Sequence, residues 1–188
     1  MISEITKNII HWDVRATLAI NHAGNVFWDQ VMWWVSLKWT WIPLYAFLLF
    51  YAYKQKKEKV IWGVLMIVLL IFISDQTSVH FFKNTVQRLR PCHDPHLQEL
   101  IRLVNNYCGG KFGFLSSHAS NSFALAVFYI YWMQLKIPYS ILLIFWATLV
   151  SISRVYLGAH FVLDIMAGAL WGYFLAKYLY LFAKKKLT

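Results

Sequence analysis

The sequence predicts an all-α, polytopic transmembrane helix bundle of five or six spans, with an N-terminal interfacial helix, organised as one domain over residues 1–188. Three observations predict it. Apolar residues make up 60% of the chain and charged residues 14%, against about 25% charged in an ordinary soluble domain. Five apolar runs approach the roughly 20 residues that a hydrocarbon core requires, or the somewhat smaller number that suffices with snorkelling flanks. The 10 Trp and 11 Tyr supply amphipathic rings of the kind that anchor at membrane interfaces.

Taken in order, residues 1–38 form the interfacial region. Asn21, His22, Gly24, Asn25 and Asp29 break its apolar pattern, while Phe27, Val31, Trp34 and Val35 recur at helical spacing. This reads as an amphipathic helix lying in the interface, with a sixth span as the alternative. The apolar runs follow at 39–53, 60–80, 120–134, 138–152 and 161–183, and an outer loop occupies 83–114. The first residues lack the basic region, apolar core and small-residue cleavage site of a signal peptide, so none is expected.

The net charge of +10 would suggest nucleic acid in a soluble protein. Here KQKKEK at 54–59 and KKK at 184–186 sit at the ends of apolar runs and read as cytoplasmic anchors, so membrane and not nucleic acid is the expected partner. With five spans these lysines and Lys136 share one side. The N-terminal region, the 83–114 loop and the turn at 153–160 then share the other, outward one. Cys92 and Cys108 lie in that loop, where a disulfide worth roughly 3 kcal/mol in the chain-entropy model suits an oxidising compartment. Two free thiols facing a reducing compartment are the alternative.

Three stretches carry chemistry: KNTVQRLRP (83–91), LSSH (115–118) and SRVYLGAHFVLD (153–164). Lys83 and Arg90, seven apart, would lie on one helical face that Pro91 ends, forming a phosphate clamp or a pair of snorkelling cations. Ser116 is expected to cap a helix whose start presents free N–H groups to an anion, with His118 in the first turn placed for proton transfer; an ordinary capped helix with an incidental histidine is the alternative. His160 and Asp164, four apart, stack on one face, so that Asp164 can accept the Nδ1 proton and leave Nε2 as nucleophile, with a structural His–Asp pair as the alternative. Gly158 is expected to turn the chain so that Arg154 reaches the same place. Asp75, inside the second run, either holds Lys83 or joins a polar seam between helices. His80 either borders the pocket or lies outside it. His93, Asp94 and His96 have metal-ligand residue types, but a solvated loop is the expectation and no metal is assigned.

At these residues the chain resembles the type-2 phosphatidic acid phosphatase superfamily, which includes membrane lipid phosphatases, glucose-6-phosphatases and vanadium-dependent haloperoxidases. Its pattern is K-x6-RP, PSGH and SR-x5-H-x3-D. The first part matches at Lys83, Arg90 and Pro91, and the third at Ser153, Arg154, His160 and Asp164. In the second, Ser116 and His118 match, while Leu115 stands for Pro and Ser117 for Gly. The resemblance implies a cofactor-free, metal-independent hydrolysis. His160 would attack phosphorus, Asp164 orient it and His118 protonate the leaving alkoxide. Lys83, Arg90, Arg154, Ser116 and the Ser117 backbone N–H would bind the phosphate oxygens. The substrate it implies is a lipid phosphate or pyrophosphate: undecaprenyl pyrophosphate, phosphatidylglycerol phosphate, phosphatidic acid or lipid A. The implied location is a bacterial inner membrane with the site facing the periplasm or exterior. A non-catalytic carrier or channel for phosphorylated lipids is the alternative. Halide oxidation is a further one, against which the membrane composition argues.

Overall fold

The structure, a computed structural model, describes residues 2–187, with side chains from residue 4. Met1 and Thr188, the ends of the expected domain, lie outside these. Eight α-helices run through the described residues: α1 (Ile2–His22), α2 (Val26–Ser36), α3 (Ile42–Lys56), α4 (Val60–Gln76), α5 (Asn84–Val86), α6 (Ser117–Met133), α7 (Ile137–Tyr156) and α8 (Val162–Leu187). A π-helical stretch, Thr77–Lys83, joins α4 to α5. The nearest approach to sheet is an isolated bridge between Leu89 and Phe112.

The apolar runs are α3, α4, α6, α7 and α8, each with shifted ends. Three helical stretches are long and apolar enough to cross a membrane: Lys38–Val86, Ile137–Tyr156 and Val162–Leu187. The first contains α3 and α4, which Lys57 separates in a positive-φ conformation (φ 45°). Pro residues open α3 and α7, where a missing N–H costs no helical bond. The lysine-rich end of α8 meets the start of α4, with Lys186 over the Trp62 ring at 4.7 Å.

The N-terminal region departs from the expected single helix. It is two helices, and Asn25 caps the second by accepting from Trp28 N at 3.0 Å. The expected stripe divides, because Val35 is buried whereas Phe27 and Trp34 are exposed. In α1 the usual pattern is inverted. Asp13, Thr17 and Asn21, four apart, are buried, and Ile5, Ile9, Ile10 and Trp12 face outward. Periodicity of apolar residues does not by itself say which face of such a helix turns inward.

Helix α6 is the central one, burying Ala124, Phe128, Tyr129 and Trp132. Between helices in lipid there is little hydrophobic drive, so close backbone approach and packing must hold them. Gly168 and Gly172 on α8 face Ser116, Ser120 and Ala124 on α6, and a Cβ on Gly172 would collide with the Ser120 carbonyl. This small-residue seam draws the start of α6 onto the start of α8, where Ser116 N donates to Asp164 O at 3.1 Å.

Candidate active site

The site forms where α6, α7 and α8 meet the 83–116 segment. At the end of α7, Gly158 takes φ 75°, a conformation most side chains resist. The N–H groups of Ala159 and His160 fold back to Arg154 O at 3.0 and 3.2 Å, so one turn fixes Arg154 and His160 together. His160 is 1% exposed and Asp164 0%. The expected hydrogen bond from His160 Nδ1 to Asp164 is not formed: Nδ1 lies 3.5 Å from Asp164 Oδ2 and has no hydrogen-bond partner among the described residues, and Oδ2 accepts instead from Phe161 N at 3.0 Å.

The cations arrive by different routes. Lys83 and Arg90 do not share a helix, as the spacing had suggested. The helix ends at Val86, Gln87 is left-handed (φ 50°), and Arg90 is extended. A π-stretch followed by this stop gives Lys83 a helical position and Arg90 a loop one. Lys83 Nζ donates to Ser117 Oγ at 3.1 Å. Arg90 is anchored on the facing loop by Nη1 to Cys108 O at 3.0 Å and Nε to Phe112 O at 3.3 Å. Cys92 and Cys108 are bonded to one another beside it. Arg154 donates through Nη1 to Ser36 Oγ, and its buried Nε has no partner among the described residues, leaving a donor for a ligand oxygen.

Ser116 caps α6 by accepting from Ala119 N at 3.5 Å. His118, in the first turn, lies in the electrostatic reach of His160, Lys83, Arg90 and Arg154. Burial, and then the fields of Arg90, Arg154 and Lys83, push His160 well below its ordinary value. Its imidazole is therefore neutral at physiological pH, the form a nucleophile needs. Burial likewise lowers Arg90 from its usual range.

Asp75 lies in the electrostatic reach of Lys83 and, with Ser117 and His118, lines a groove of about 580 Å³. The groove's remaining walls include Leu48, Val64, Ile67, Leu125, Trp132 and Trp146, and it has the size and apolar character of a ligand site. His80 is exposed and, among the described residues, makes no contact with this site. His93 Nε2 lies 3.2 Å from Gly109 O, and both cysteines of the neighbouring Cys92–His93–Cys108 group are spent in the disulfide.

Three residues escaped the sequence reading. Ser36 ends α2 and meets Arg154. Arg88 lies inside the K-x6-RP stretch and binds both Asp164 and Asp13, at 2.9 and 2.5 Å. Asp13 is buried on α1, and its contacts with Arg88 and Leu163 lie far away in sequence, where no local pattern signals them.

The family model described as the PAP2 superfamily matches residues 64–187. The chain is 38% identical to Lipid A 4'-phosphatase of Bacteroides thetaiotaomicron, over 94% of this chain and 78% of that protein. It is 33% identical to Lipid A 4'-phosphatase of Porphyromonas gingivalis, over 98% of this chain and 77% of that one. In fold it is similar to the crystal structure of the transmembrane PAP2 type phosphatidylglycerolphosphate phosphatase from Bacillus subtilis, with TM-score 0.73, 22% identity, and 95% and 87% of the two chains covered.

Proposed function

We propose, since this chain belongs to the PAP2 superfamily, that it hydrolyses the phosphate monoester of a lipid A-type glycolipid through a phosphohistidine on His160. The protein is an integral membrane lipid phosphatase, a phosphoric monoester hydrolase. One observation carries the finer reading. A neutral, buried His160 backed by Asp164 shares a site with His118 and with Lys83, Arg90 and Arg154, and that site opens on an apolar groove. Among candidate lipids, the glycolipid is favoured by the two relatives that this chain covers over more than two thirds of their length.

The steps balance without a cofactor. His160 Nε2 attacks phosphorus as the bond to the lipid oxygen breaks, and His118, which holds a proton once the bound phosphate anion offsets the cations around it, gives that oxygen its proton. Water, deprotonated by His118, then attacks the phosphohistidine, releasing inorganic phosphate and restoring His160. The three cations hold the non-bridging oxygens, whose charge shifts in the transition state, and such electrostatic stabilisation is the main source of rate in phosphoryl transfer. The acyl chains occupy the groove. The Cys92–Cys108 disulfide on the site's face and the lysines at the other end support an outward, periplasmic orientation.

The test is phosphate release by the purified protein in detergent with EDTA, from lipid A, phosphatidic acid, phosphatidylglycerol phosphate and undecaprenyl pyrophosphate. Lipid A is expected to turn over fastest, and His160→Ala to abolish release. Release from none of the four ends the reading. Lipid movement that survives His160→Ala would make the protein a carrier.

A further inference from the structure

The N-terminal helix α1 reaches the reacting groups through a chain of charges, two buried carboxylates joined by the half-buried Arg88. Asp164 spends Oδ2 on Phe161 N and the His160 side, and its Oδ1 accepts from Arg88 Nη1 at 2.9 Å. Arg88 gives its second nitrogen to Asp13 Oδ2 at 2.5 Å and lies over the Phe161 ring at 3.9 Å. Asp13, 0% exposed, closes the circuit, because its Oδ1 accepts from Leu163 N at 2.9 Å, and one turn on Thr17 Oγ1 accepts from Val162 N at 3.2 Å. These two N–H groups belong to the first turn of α8, whose donors have no partner within their own helix. The polar stripe of α1 therefore caps α8 from some 150 residues away in sequence and fixes Arg88 between two carboxylates.

We propose that Asp13 and Arg88 are positioning residues for the reaction: through Asp164 they set the orientation and charge of the His160 nucleophile. A carboxylate anchored at one oxygen only could swing about its side-chain bonds, and the already long 3.5 Å contact to His160 Nδ1 would lengthen further. The fork of Arg88 prevents this by bridging to Asp13, and only a guanidinium offers two parallel donors for the purpose. The charge arithmetic matters as well. Arg88 partly neutralises Asp164, and Asp13 partly neutralises Arg88. Asp13 therefore regulates how much negative field reaches His160. The other charged and titratable groups facing His160 are Arg90 from the loop, Arg154 from α7, Lys83 from the end of the π-stretch and His118 from α6. None of these is touched by changing Asp13 or Arg88.

This inference rests on the phosphatase reading, and the wild-type protein separates the two: no turnover of any lipid phosphate ends that reading, whereas normal turnover in the variants ends this one. The experiment compares Arg88→Gln and Asp13→Asn with wild type, using lipid A as substrate and inorganic phosphate as inhibitor, across pH. Both variants are expected to lower kcat by about 10- to 100-fold, the range met when groups that orient a functional histidine are removed. Phosphate inhibition should stay within about threefold, since the clamp is untouched. The acid limb of kcat/KM should move in opposite directions. Loss of Arg88 exposes His160 to more of Asp164's charge and raises the limb. Loss of Asp13's charge frees Arg88 for Asp164 and lowers it. Asp29→Asn, which breaks the Arg102 ion pair between α2 and the loop, is the control and should move neither kcat nor the limb. Unchanged kcat in both variants, limbs that move together, phosphate affinity that falls in step with kcat, or failure of both variants to fold would each overturn the proposal.

Discussion

Ser117 Oγ accepts a hydrogen bond from Lys83 Nζ at 3.1 Å, which ties the residue that replaces glycine in the family pattern to the first cation of the proposed phosphate clamp. The hydroxyl takes one of the three ammonium donors and leaves two for a phosphate oxygen. Removing the hydroxyl loosens the cation without removing its charge. Ser117→Ala is therefore expected to lower kcat/KM by less than about 10-fold, whereas Lys83→Ala loses the charge itself and should cost about 100-fold or more. Steady-state kinetics on a short-chain lipid phosphate decide the matter. Equal losses in the two variants would mean that Ser117 contacts substrate directly.

Assignment of His160 as nucleophile and His118 as acid and base makes their single variants differ in kind. We expect His160→Ala to yield no covalent phosphoenzyme. His118→Ala should still form one from a substrate with a good leaving group, because such a group departs without a proton, but should hydrolyse it slowly because water is no longer activated. Rapid quench with radiolabelled phosphate ester distinguishes the two. A labelled intermediate in His160→Ala would remove that residue from the nucleophile's place.

The lowered proton affinity of His160 fixes a pH window and its sign. Burial and the cations Arg90, Arg154 and Lys83 hold the imidazole neutral below its ordinary range. The acid limb of kcat/KM should therefore lie below about pH 6.5, the unperturbed histidine value. The unfolded chain takes up this proton at about 6.5 while the folded one does not, so the folded state loses stability as pH falls from there. Arg90→Gln removes one of the depressing charges, and its residual activity should show a limb shifted to higher pH. A limb that stays where it was would show that Arg90 does not act on His160.

Much of the fold was legible in the sequence because it rests on local patterns: apolar runs mark the helices, and motif spacings single out Lys83, Arg90, Arg154, His160 and Asp164 as candidates for the proposed site. What escaped depends on long-range contact. Nothing local in Asp13 and Thr17 says that they cap a helix starting at Val162, and the periodicity of α1 does not say which of its faces turns inward. The seven-residue spacing of Lys83 and Arg90 was read as one helical face, but the left-handed Gln87 and the π-stretch before Lys83 break that geometry. Such local irregularity often lies at functional sites. Gly168 and Gly172 could have been found as a small-residue repeat on a membrane helix, and their partners Ser116 and Ser120 begin at the capping serine of the second motif.

The Cys92–Cys108 disulfide has a consequence beyond chain entropy. Its second cysteine supplies the carbonyl that binds Arg90 Nη1 at 3.0 Å, and Arg90 N donates to Lys111 O at 3.1 Å a few residues on. The cross-link therefore pins the loop segment from which Arg90 hangs. Cys92→Ser with Cys108→Ser should destabilise the protein by roughly 3 kcal/mol, the value for a loop of this length. It should also raise the inhibition constant for inorganic phosphate, since Arg90 then samples positions away from the clamp. Lys83→Ala in the same background should weaken phosphate binding further, because that cation is held by Ser117 and not by the loop. Thermal unfolding in detergent and phosphate inhibition, each with and without reductant, read the two effects. If reduction lowers the unfolding temperature but leaves phosphate inhibition unchanged, the bridge supports the loop without positioning Arg90.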